Sequence, residues 1–78
     1  MKKFAVITSA RPAIICFEDI IEDSGLIVSL SDLIILERKT DEGEYPKCIN
    51  VGTVLKEKII FFEDLDSAKL YYDLNFAN

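Results

Sequence analysis

The groups in this chain able to do acid, base or metal chemistry are its carboxylates, and they are clustered. Ten of the 14 Asp and Glu residues fall in three short stretches: Glu18, Asp19, Glu22 and Asp23; Asp41, Glu42 and Glu44; Glu63, Asp64 and Asp66. Paired carboxylates at close spacing serve glycoside hydrolysis and two-metal phosphoryl chemistry, and "EDLD" places three of them within residues 63–66. The same arrangement at a helix start instead satisfies free amide groups and the helix dipole. The residues from 65 onward have helical spacing, so capping is the better reading. Neither "DSG" nor "DEGE" has the alternating ligands and terminal Glu of an EF-hand loop. No catalytic residue, metal ligand or cofactor is assigned.

The other chemical residue types narrow the field further. The chain has no histidine, which removes the commonest general base and metal ligand and any Ser-His or Cys-His dyad. Cys16 and Cys48 are too few for a structural zinc site, and far fewer than a small secreted domain uses as bridges. Both are expected as reduced, buried thiols, in a cytoplasmic protein. Glycines 25, 43 and 52 are isolated, so neither a phosphate-binding loop nor a dinucleotide fingerprint can be written. A net charge of -5 and a pI near 4.5 disfavour sequence-independent binding to nucleic acid or anionic membrane, which depends on Lys and Arg. A basic protein is the partner that this charge favours.

These groups must be positioned by one small domain spanning 1–78, since a chain of this size buries only about 60% of the surface its unfolded form exposes. "MKKFAVITSA" begins like a leader peptide, but Arg11-Pro12 interrupts its apolar run, and a strand over 4–8 is expected instead. The longest apolar run, Ala13 to Phe17, is far shorter than a membrane-spanning helix. Over 12–24 two readings compete. Acids at 18, 19, 22 and 23 with apolar residues at 17, 20 and 21 have helical spacing before Gly25, whereas "AIICF" is suited to a central strand. The helix is the preferred expectation.

"LIVSL" and "LIILERK", separated by Ser31-Asp32, form two strands or one bent strand. "TDEGEYPK" is a loop. "CINVGTVL" and "KIIFF" are expected as a hairpin, with Gly52 marking a bulge or close packing. From 64 to about 75 the period becomes helical, with Asp64 or Asp66 as cap and Asn75 near the stop. The fold class is therefore α+β: a small, mainly antiparallel sheet with one or two helices packed on one face. "IICFED" at 14–19 and "IIFFED" at 59–64 match at five of six positions. A split βαβ repeat would use that spacing, but the second copy lacks the closing strand such a repeat needs.

The functional expectation is a small acidic, non-enzymatic module that docks on a basic surface of another protein. In composition the chain is similar to the short acidic regulators that bacteria and phages encode to inhibit enzymes acting on nucleic acid; no motif carries that likeness. The residues expected to meet the partner are Glu18, Asp19, Glu22, Asp23, Asp41, Glu42, Glu44, Tyr45 and Tyr72. Tyr72 enters because adjacent tyrosines on a helix point about 100° apart, which leaves one at a boundary. Two alternatives are an assembly subunit that forms homo- or hetero-oligomers through a sheet edge or helix face, and a small-ligand-binding α+β dimer.

Overall fold

The computed structural model describes residues 2–38 and 47–76. It has six strands followed by one helix: β1 (Lys3–Ile7), β2 (Ala13–Phe17), β3 (Ile20–Asp23), β4 (Ile27–Arg38), β5 (Lys47–Leu55), β6 (Ile59–Phe62) and α1 (Leu65–Phe76). Every strand pairing is antiparallel, so the α+β expectation holds. Residues 39–46, which contain most of the expected loop, lie outside the described residues.

β4 organises the sheet. Its twelve residues pair along one side with β5, and along the other with β3 near its start and β2 near its end. β1 lies beside β2, and β6 beside β1. A single 3-10 turn, Lys56–Lys58, joins β5 to β6 across four strand positions. In a flat sheet those positions span about 19 Å, whereas three residues of 3-10 helix advance only about 6 Å. The short connection is therefore possible only because the sheet curls.

The curl gives one face of the sheet an interior. Ala5, Ala13, Ile15, Phe17, Val28, Leu30, Leu33, Ile35 and Ile59 fill it. Helix α1 covers the outer face of β1, β2 and β6, packing Ala68 and Tyr72 against Val6 and Ile14. β2 is thus buried on both sides at all five residues, which explains why its sequence is an uninterrupted apolar run instead of an alternating one.

The expected helix over 12–24 does not form. Those residues are β2, a two-residue corner at Glu18 and Asp19, and the exposed strand β3. Two features interrupt the two-residue alternation here: the corner at Glu18 and Asp19 separates β2 from β3, and Ile21 is an extra residue in β3 between the pairings of Ile20 and Glu22. The β5–β6 hairpin is also corrected. β5 pairs with β4 and β6 with β1, because the 3-10 turn carries the chain from one sheet margin to the other.

Residues 27–30 of "LIVSL" and 33–38 of "LIILERK" belong to one strand, β4. Asp32 in its middle has φ +50°, and the buried positions shift from 28 and 30 to 33 and 35 around it. Gly52 marks close packing: a Cβ there would lie 2.8 Å from Cδ1 of Leu33. Cys16 is buried, but Cys48 is exposed on the marginal strand β5, contrary to the expectation of two buried thiols.

Candidate functional site

The corner at 18–19 is held from across the sheet by Ser31. The Ser31 amide donates to the Asp19 carbonyl at 2.9 Å, and the Glu18 amide donates to the Ser31 carbonyl at 2.9 Å. The Ser31 hydroxyl accepts from the Asp19 amide at 3.0 Å and donates to its carbonyl at 3.4 Å. With the backbone groups occupied in this way, the carboxylates of Glu18 and Asp19 are left directed to the surface. β3 follows with all four residues exposed, presenting Glu22 and Asp23.

Three of the four acids meet lysines from distant parts of the sequence. Lys2 lies 3.7 Å from Glu18, Lys3 lies 3.1 Å from Asp19, and Lys56 lies 2.8 Å from Asp23. Lys3 also donates to the Glu18 carbonyl at 3.1 Å. Asp23 accepts from the Gly25 amide at 2.9 Å within the β3–β4 turn, where Gly25 takes φ +89°. The hydrogen bond from Lys56, and then that from Gly25, hold the Asp23 carboxyl below the ordinary aspartate range. These pairs are solvent-exposed, and such pairs hold their partners weakly.

Beside the corner is an open groove of about 360 Å³ lined by Phe4, Phe17, Ile20, Phe61 and Phe62, with Lys2, Lys3 and Glu63 at its rim. Phe17 and Phe61 meet edge to face, ring centroids 5.8 Å apart. The convergence of these phenylalanines at the strand ends follows from β1 lying between β2 and β6, which no local pattern encodes.

The third acid cluster has the architectural role expected of it. The Asp64 carboxylate accepts from the Ser67 amide at 2.7 Å, and that backbone hydrogen bond lowers its pKa. Asp64 is the cap of α1. Asn75, expected near the stop, donates from its side chain to the Tyr71 carbonyl at 2.8 Å.

Tyr72 is 2% exposed and belongs to the core beneath the helix; the half-buried boundary position is that of Tyr71, which rests against Phe62 at 5.6 Å. The Tyr72 side chain therefore does not face a surface that a partner could meet. Asp41, Glu42, Glu44 and Tyr45 lie outside the described residues. Glu18, Asp19, Glu22 and Asp23 are thus the expected contact residues that the structure brings together.

Burial pushes the Cys16 thiol above its ordinary range, which keeps it protonated and unreactive at neutral pH. Among the described residues no three metal-ligating side chains are grouped to hold an ion, and no helix is long and apolar enough to cross a membrane. Comparison of the chain with protein families, curated proteins and solved structures returned no match.

Proposed function

We propose that the chain is a non-enzymatic binding module that docks the acidic segment 18–23 onto a basic surface of another protein. The observation that carries this reading is the continuous exposure of Glu22 and Asp23 along β3 next to the outward-facing Glu18 and Asp19. Their lysine partners are themselves exposed, so a partner's Arg or Lys can replace them at small cost. The apolar groove beside the corner offers a place for an anchoring side chain, the arrangement that concentrates binding energy at interfaces. A basic partner that handles nucleic acid, met by an inhibitor or regulator of bacterial or phage type, is the finer form of this proposal.

The test is affinity capture from bacterial lysate with the wild-type chain and with Glu18→Lys, Asp19→Lys, Glu22→Lys and Asp23→Lys combined, at low and raised salt. Wild type is expected to retain basic proteins that both the reversal and the salt release, since exposed charges are screened beyond about 10 Å at 0.1 M salt. Retention unchanged by the reversal, or no retained protein, counts against the proposal. A second reading, an assembly subunit, draws on Leu70 and Leu74, which lie one turn apart on α1 and are 61% and 71% exposed.

A further inference from the structure

We propose that the aromatic groove at the strand ends receives an arginine side chain, its stem among the phenylalanines and its guanidinium against the Glu63 carboxylate. The source of that arginine, a basic protein partner, rests on the docking reading above; the residue type and the contact at Glu63, outside the segment 18–23, are new. Exposed apolar surface converges at this groove. Phe61, 41% exposed, and Ile20, 44% exposed, line it together with the buried Phe17. Its volume of about 360 Å³ reaches the lower part of the range of small-ligand sites, roughly 300–1,000 Å³.

The charges at the rim select the occupant. Lys2 and Lys3 are each met by an acid, Glu18 at 3.7 Å and Asp19 at 3.1 Å, so neither opposes a cation at full strength. Glu63 is exposed and is in no ion pair among the described residues. An anionic guest would face Glu63 and would have to compete with Glu18 and Asp19 for the lysines. An uncharged apolar guest would cover the rim and leave the Glu63 carboxylate partly desolvated without a counter-charge, which costs free energy. A cation satisfies it. Between the two cationic side chains, a lining of Phe4, Phe17, Phe61 and Phe62 favours arginine. The guanidinium is planar, is more weakly hydrated than an ammonium, stacks on aromatic rings and meets a carboxylate through two parallel hydrogen bonds. A cation within about 6 Å of a ring centroid gains further attraction from the face of the ring.

The experiment is an NMR titration of the full chain, at constant ionic strength, with N-acetyl-arginine amide and, as comparisons, the lysine, norleucine and glutamate analogues. The signals followed are the ring protons of Phe61 and Phe62 and the amide of Glu63. The arginine probe is expected to shift them saturably with a millimolar dissociation constant, roughly three- to fivefold tighter than the lysine probe, while the glutamate probe leaves them in place. Glu63→Gln, at an exposed position, is expected to weaken the arginine probe about threefold without weakening the norleucine probe. Phe61→Leu keeps the apolar bulk and removes the ring, and is expected to erase the preference for arginine over lysine; if that variant fails to fold, Glu63→Gln decides. No saturable shift with arginine, arginine no tighter than lysine or norleucine, or arginine binding indifferent to Glu63→Gln each overturns the proposal. Because the probes need no partner protein, these shifts can persist where the lysate capture fails, and a captured partner released by the 18–23 reversal can coexist with a groove that ignores arginine. The two readings therefore fail separately.

Discussion

The two hexapeptides "IICFED" and "IIFFED" flank the same strand, and they are not structural equivalents. β2 and β6 both run antiparallel to β1, but Val6 faces Ile14 on one side and Ile60 on the other, and Ala5 faces Ile15 and Phe61. Matching letters are thus offset by one residue against β1. A one-residue offset exchanges the faces of a strand, so Phe17 points into the interior of the curl while Phe62 points to the helix side. The acids diverge as well. After Phe17 the chain turns a corner and continues as β3, with its carboxylates at the surface; after Phe62 it enters α1, and Asp64 is its cap. The comparison teaches that local residue identity fixes strand tendency, while register fixes what each residue does.

Removing the aromatic ring at each site should separate the two junctions most widely. Phe17 is fully buried, so Phe17→Ala is expected to lower unfolding free energy by ~3–5 kcal/mol, whereas Phe62→Ala, at a half-buried position, should cost about half as much; chemical denaturation measures both. Equal losses would break the distinction. At the next scale, Ser31→Ala removes the hydroxyl that holds only the first corner, leaving the Asp19 amide without that acceptor. A loss of ~1 kcal/mol is expected, with faster hydrogen exchange at Asp19 and no change at Ser67.

The smallest effect concerns acid. The folded-state pKa of Asp64 lies below its unfolded value, so its contribution is complete above the ordinary aspartate pKa of about 3.9 and is lost as pH falls through the folded value. Asp64→Asn should therefore flatten the acid limb of the melting temperature below about pH 4, and Asp64→Ala should lower that temperature at neutral pH by a few degrees through loss of the cap. An acid limb unchanged by Asp64→Asn would remove the capping role from the second junction.

Much of the architecture was legible in the residues. The change to helical period after Glu63, with Asp64 or Asp66 in place to cap it, identified α1. The Ser31-Asp32 pair marked the bend in β4. Residues 12–24 misled because burial of β2 on both faces removes the alternation by which strands are recognised, while the corner at 18–19 and the extra residue Ile21 in β3 gave the following acids a helix-like spacing. The exposure of the acids was legible; their lysine partners were not, since Lys2, Lys3 and Lys56 reach them only through the sheet. Tyr71 and Tyr72 could not be ranked from their order alone, because the rotation of the helix relative to the sheet decides which ring is covered.

The pairing of β1 with β6 also governs when this molecule can fold. Phe4 finds its partner in Phe62, far along the sequence, and the interior face of β2 has no complete lid until that pairing forms. Proteins dominated by such distant contacts fold in milliseconds to seconds instead of microseconds. A ribosome must therefore deliver the chain through Phe62 before β1 acquires its second neighbour, and until then the apolar run "AIICF" lacks the cover that this pairing completes.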